Sequence, residues 1–153
     1  MAEYTANALQ TVNPGESVIF TDSPVPCRRG LVRHRDDTGS FLLSGYVPFT
    51  GCCCGQNSAT YLVDFGANIA IPTGGTVDEI TLAIAIDGST IPASTMIVTP
   101  AAVEEFWNVS RAINAEIWRS CCETVTVRNT SDQPILVQNA NIIFGRPDLV
   151  LTR

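Results

Sequence analysis

The stretch "ATYLVDFGANIAIPTGGTVDEITLAIAIDG", residues 59–88, decides how the rest of the chain is read. In its first part Tyr61, Val63 and Phe65 fall on one face. In its last part Ile80, Leu82, Ile84 and Ile86 alternate with Thr81, Ala83, Ala85 and Asp87. An apolar residue at every second position is the period of a half-buried β-strand, and the small second face of 80–87 suits close packing. Between the two runs, "PTGG" (72–75) supplies turn chemistry, and Asp87-Gly88 is the dipeptide of a tight hairpin turn.

The same pattern extends outward in both directions. "SVIF" (17–20), "GLVRHR" (30–35) and "SFLLSGY" (40–46) precede the opening stretch, punctuated by "SPVP" (23–26) and "DDTGS" (36–40). "TIPASTMIVT" (90–99), "EFWNVSRAINAEIW" (105–118), "ETVTVRN" (123–129) and "PILVQNANIIF" (134–144) follow it. A series of about eight or nine short strands spaced by turns predicts an all-β, antiparallel jelly-roll sandwich. The one competing helix signal is at 99–105, where Thr99-Pro100 has the form of an N-cap and first helical residue and Glu104 and Glu105 follow. From 105 onward the run also fits a strand with one irregularity near Ser110, so only a helical turn at its start is left open.

A chain of 153 residues, 45% hydrophobic and 16% charged, is enough for one domain with a real core. Its division is read as an extended polar N-terminal arm (1–16), the jelly roll (17–146) and a short tail (147–153). All nine positive side chains are arginines, set against fifteen carboxylates for a net charge of -6. That balance repels phosphate backbones, so nucleic acid is not an expected partner. The basic cluster Arg28, Arg29, Arg33 and Arg35, with His34 inside it, is read as a solvated loop partly paired with Asp36 and Asp37. The apolar runs are too short to cross a bilayer, and "MAEYTANALQTVNPGES" is no secretory signal, so a membrane partner is not expected and synthesis in a cytoplasm is.

Catalytic constellations are absent from the sequence. A Ser/His/Asp or Cys/His system would have to use His34, the lone histidine, and no G-x-S-x-G elbow or glycine-rich phosphate loop is present. The expectation is a non-enzyme without cofactor or bound metal.

"GSFLLSGY", "YLVDFGANIAIPTGGTVDEITLAIAIDGSTIPAS" and "VTVRNTSDQPILVQNANIIFGR", in that order, resemble the jelly roll of the tumour necrosis factor and complement-head family, in its bacterial and phage branch. The match rests on the Tyr61-x-Val63-x-Phe65 strand, the "IDGSTIPAS" hairpin and the "VTVRN" strand with its turn and closing strand 134–144, and covers about residues 17–146. The chain departs from the pattern in having no collagen-like stalk, and in carrying cysteines where a glycine-rich turn precedes strand 59–71. The resemblance implies a compact homotrimer packed edge to face around an apolar axis, with Tyr61, Phe65, Phe106, Trp107, Trp118 and Phe144 as interface candidates. It also implies that strand 59–71 runs antiparallel to 105–118, which brings Cys52, Cys53 and Cys54 to the same pole as Cys121 and Cys122, with Cys27 elsewhere. Disulfides between those loops, reduced thiols and a metal site all remain open, since adjacent cysteines lack the C-x-x-C spacing of structural zinc and connectivity is not a sequence property. The function implied is a structural virion protein of a phage, a trimeric capsid decoration or head-fibre protein attached to a capsid or fibre surface, made in the host cytoplasm and released on lysis. The alternative is a ligand- or host-recognising head of a phage fibre or of a bacterial spore or surface filament.

Overall fold

The computed structural model describes residues 1–48 and 56–149. Twelve strands are found there: β1 (Ala2–Ala6), β2 (Gln10–Val12), β3 (Asp22–Val25), β4 (Val32–His34), β5 (Phe41–Ser44), β6 (Ser58–Ala70), β7 (Ile80–Ile86), β8 (Ser89–Thr90), β9 (Met96–Val98), β10 (Trp107–Trp118), β11 (Cys122–Asn129) and β12 (Ile135–Gly145). One sheet has the order β10-β6-β12-β1-β3, with β2 also on β12; the other has the order β4-β5-β11-β7-β8, with β9 also on β7. Every pairing is antiparallel. The chain crosses between the sheets from β3 to β4, from β5 to β6 to β7, and from β9 through β10 and β11 to β12, which is the jelly-roll sandwich.

The alternation in 59–71 and 78–88 is realised as read. Tyr61, Val63, Phe65 and Ile69 of β6 and Ile80, Leu82 and Ile84 of β7 are fully buried between the sheets. β-Branched and aromatic side chains at every second position fill a pleated, one-sided surface. Asp87 and Gly88 both take positive φ, 48° and 84°, the two-residue turn that twists with its strands. Beyond the turn, β8 pairs only with Ala85 and Ile86, and β9 only with Ile80 to Leu82. Ile84 lies in the gap. Its N–H donates to Ser94 Oγ at 2.8 Å and its carbonyl accepts from Ile91 N at 2.9 Å, so the Pro92–Ser94 turn replaces the missing strand.

Two sequence expectations change. Residues 1–16 are not an arm: β1 and β2 lie within the first sheet on β12, with Ala2, Tyr4, Ala6 and Val12 buried. The short alternation Ala2-Tyr4-Ala6 against Glu3-Thr5 is a strand pattern, hidden by the polar residues around it. The 99–105 segment forms no helix but a turn leading into β10. Glu104 sits in the left-handed region at φ 58° and donates its N–H to the Ile71 carbonyl at 2.7 Å, while the Glu105 carboxylate accepts the Ala101 N–H. β10 then keeps one register along all of β6, with Ser110 opposite Gly66 and no irregularity there. The register shift lies instead in β12, between Gln138 and Asn141, where Asn139 has φ 53°.

Candidate functional site: the cysteine pole and the edge strand

One end of the sandwich is organised by Tyr61 and Arg146. The Tyr61 hydroxyl donates to the Ser44 carbonyl at 2.6 Å, with the Leu31 carbonyl 3.1 Å away. The Arg146 guanidinium lies 4.9 Å from the Tyr61 ring centroid. It forks onto Asp148, with Nε to Oδ1 at 2.7 Å and a second donor to Oδ2 at 3.1 Å, and it donates to the Tyr46 carbonyl at 3.0 Å. Asp148 also accepts from Thr60 N and from Gln56 Nε2. Burial opposes charge on both groups, yet the Arg146 bond and the Thr60 N–H hold the Asp148 carboxyl below the usual range. The same pairing outweighs burial at Arg146 and holds its pKa above the usual value. Four segments that are distant in sequence, around residues 31, 44–46, 56–61 and 146–148, are tied together here.

The described cysteines, Cys27, Cys121 and Cys122, lie at this pole. Cys52, Cys53 and Cys54 lie outside the described residues, but the chain on both sides of them is placed. Gly45 N donates to the Cys121 carbonyl at 2.9 Å, and Arg119 N donates to the Asn57 carbonyl at 2.8 Å. Gly45 packs directly against the Trp118 carbonyl, where a side chain would not fit. Cys121 and Cys122 are exposed, and among the described residues no disulfide is formed. Cys27 is a correction: it is not elsewhere, but lines a cleft at this same pole with Tyr61 and Arg146. Burial acts to raise its thiol pKa, yet the N–H groups of Val32, Arg29 and Leu31 outweigh it and the net direction is down.

Cys121 is reached through a turn whose third residue, Ser120, has φ 67°, with Cys121 N donating to the Trp118 carbonyl. A non-glycine residue in that region costs about 1 kcal/mol. Ser120→Gly is therefore expected to raise stability by about 0.5–1 kcal/mol, read as an increase in the urea midpoint; a fall would mean the serine side chain has a role in the turn.

The aromatic candidates divide. Tyr61, Phe65 and Phe144 point into the subunit's own core, at 0%, 0% and 1% exposure, and are not available to an interface. Their odd–even position in β6, and the register of β12 on it, face them to the second sheet. Phe106, Trp107 and Trp118 are exposed, at 40%, 50% and 58%. They form no single patch. Trp107 and Trp118 stand at the two ends of β10, roughly 36 Å apart at strand rise, and on opposite faces because they are an odd number of residues apart. β10 itself is an edge strand, paired on one side by β6. The outward face beside it presents Leu62, Asp64 and Ala112, an Asn68–Asn108 amide contact, and Asn141 bonded to Glu3.

His34 is a core-edge residue. It stacks on Phe41 with centroids 4.6 Å apart, and Nε2 lies 2.9 Å from the Thr38 carbonyl, which requires the proton on that nitrogen. Arg28, Arg29, Arg33 and Arg35 are exposed. The pairing with Asp36 and Asp37 read from the sequence is not formed; the ion pair found among the described residues is Arg146–Asp148. Among those residues no group of three or more His, Cys, Asp or Glu side chains could hold a metal ion, and no helix is long and apolar enough to cross a membrane.

No family model matches this sequence, and no curated protein matches it. Solved structures do. The chain is similar to the globular domain of the zebrafish complement 1qA protein, 10% identical over 93% of this chain and 94% of that one, at TM-score 0.55. It is similar also to the Eiger TNF of S. frugiperda, 11% identical over 99% of this chain and 93% of that one, at TM-score 0.62. At such identities the likeness establishes the fold: a complete two-sheet jelly roll of the kind found in complement and TNF heads.

Proposed function

We propose that this chain is the non-enzymatic jelly-roll head of a homotrimeric phage structural protein, decorating a capsid or head fibre and stabilising the particle surface. The observation that carries self-association is β10. A 12-residue strand that among the described residues is paired on one side only, with an exposed tryptophan at each end, is a surface that folded proteins cover. Edge-to-face packing would set β10 of one subunit against the outward face of the first sheet of the next, near Leu62. The six-residue aromatic interface inferred from sequence is thereby reduced to Phe106, Trp107 and Trp118. The particle role is supported by the family resemblance and by a compact acidic body. At the cysteine pole we assign Cys52–Cys54 and Cys121–Cys122 as the staple that closes once the protein leaves a reducing cytoplasm.

Light scattering on the intact chain is expected to give three times the 16.4 kDa subunit mass, with and without reductant. Leu62→Arg, at a position 41% exposed and therefore harmless to the fold, is expected to give the monomer mass. A monomeric wild type overturns the trimer, and trimers that separate only on reduction place the staple between subunits. The particle role is tested by stoichiometric presence of the chain on purified virions.

A second reading, a head that recognises a ligand or host surface, is favoured by the cationic cleft at the cysteine pole.

A further inference from the structure

The cleft beside Cys27 encloses about 440 Å³ between β1, β4 and the end of β12, within the range of small-molecule sites. Its floor is apolar, formed by Ala2, Leu31, Val32 and Phe144, and Arg28 and Arg29 stand at its wall. Arg29 continues into an adjoining hollow that it shares with Arg33. Neither Arg28 nor Arg29 forms an ion pair among the described residues, although the chain as a whole carries six more negative than positive charges. Asp78, Glu79, Glu104 and Glu105 lie just before β7 and β10, away from β4, while Glu3 and Glu123 stand nearer, opposite Val25 and Leu43, and Asp148 is taken up by Arg146. Two guanidinium groups without an ion-pair partner among the described residues, over an apolar hollow, give that hollow a local positive potential.

We propose that this cleft binds a small organic carboxylate with an apolar body, the carboxylate on Arg28 and Arg29 and the body against Leu31, Val32 and Phe144. Guanidinium forks match carboxylate geometry, and an apolar body recovers area that a bare anion would leave wet. The cleft is complete within one subunit. It deepens the ligand-recognition reading and is independent of the trimer and of the particle role, so failure of either leaves it standing.

Cys27 in the cleft wall serves as the reporter. The full-length, reduced chain is treated with limiting amounts of two disulfides: 5,5′-dithiobis(2-nitrobenzoate), an anionic aromatic carboxylate, and uncharged 4,4′-dithiodipyridine. In each case the Cys27 thiolate attacks one sulfur, forms a mixed disulfide and expels the other half as a thiolate or thione, the thiol proton going to buffer. Labelling at Cys27 is followed by peptide mass spectrometry. The anionic reagent is expected to label wild type about tenfold faster than Arg28→Ala/Arg29→Ala, the lower end of electrostatic focusing in clefts, while the neutral reagent labels both alike. In wild type, 4-butylbenzoate at millimolar concentration is expected to protect Cys27 from the neutral reagent, and 4-butylbenzamide or acetate at equal ionic strength is not. Protection by amide and carboxylate alike, or by neither, overturns the proposal without reference to any variant. Equal anionic rates in wild type and double variant overturn the assignment of the two arginines.

Discussion

Phe41→Ala is expected to lower the free energy of unfolding by about 3–5 kcal/mol, the range for deleting a buried phenylalanine ring. Phe41 is wholly buried on β5, and its ring is the meeting point of both sheets. It lies 4.9 Å from Tyr4 of β1, 5.2 Å from Phe20, 4.9 Å from Phe144 of β12, and is stacked on His34 of β4. Alanine leaves a hollow walled by four rings fixed on four separate chain segments, so little collapse can fill it. The neighbouring residue on the same strand is the control. Leu42 faces outward and is 37% exposed, so Leu42→Ala is expected to change stability by less than about 0.5 kcal/mol. Both are read from urea unfolding at one fixed protein concentration, since association adds to apparent stability. Similar losses at the two positions would contradict the register of β5.

That cluster also shows where sequence reading succeeds and where it stops. The strands 59–71 and 80–86 were legible because long apolar alternation has one physical solution in a one-sided sheet, and the turn at 87–88 because aspartate and glycine accept positive φ. The pairing of β6 with β10, and with it the meeting of Gly45 and Asn57 with residues 119–121, followed from the topology that the resemblance implied. The N-terminal strand was not legible. Ala2, Tyr4 and Ala6 carry too little apolar area to stand out, and they are buried because β12 offers an edge and Phe41 a ring to cover.

The aromatic candidates were chosen by type, whereas parity decides their fate: Tyr61 and Phe65 share the odd positions that face the core, and Trp118 falls on the even ones that do not. Cys27 escaped because the loop from β3 to β4 crosses from one sheet to the other, and nothing local says which end of the sandwich it crosses. Ser44 and Leu31 are brought to the same hydroxyl by Tyr61, thirty residues from one and seventeen from the other. Such a knot is a property of the closed fold.

Asp148→Ala is expected to cost about 3–5 kcal/mol, the effect of removing one partner from a buried ion pair. The Arg146 and Asp148 side chains are only 6% and 14% exposed, so solvent does not screen the pair as it would on the surface. The substitution strands the guanidinium with the Tyr46 carbonyl and the Tyr61 ring, and frees the Thr60 N–H and the Gln56 amide that Asp148 holds. Replacing both partners, as Arg146→Met/Asp148→Leu, is expected to recover most of the loss, because no unpaired charge remains.

The pH dependence separates this account from simple loss of packing. Asp148 has a folded pKa below its unfolded value of about 3.9. Its contribution is therefore fully present above that unfolded value and is lost as pH falls through the folded pKa. Arg146, raised above its ordinary value, contributes below that value and loses it only in strong base, outside the working range. Unfolding free energies of wild type and Asp148→Ala, measured from pH 7 downward, are thus expected to run parallel to about pH 4 and to converge below it. Curves that stay parallel into acid would show that Asp148 acts through packing alone, and would remove the ionic clasp from the cysteine pole.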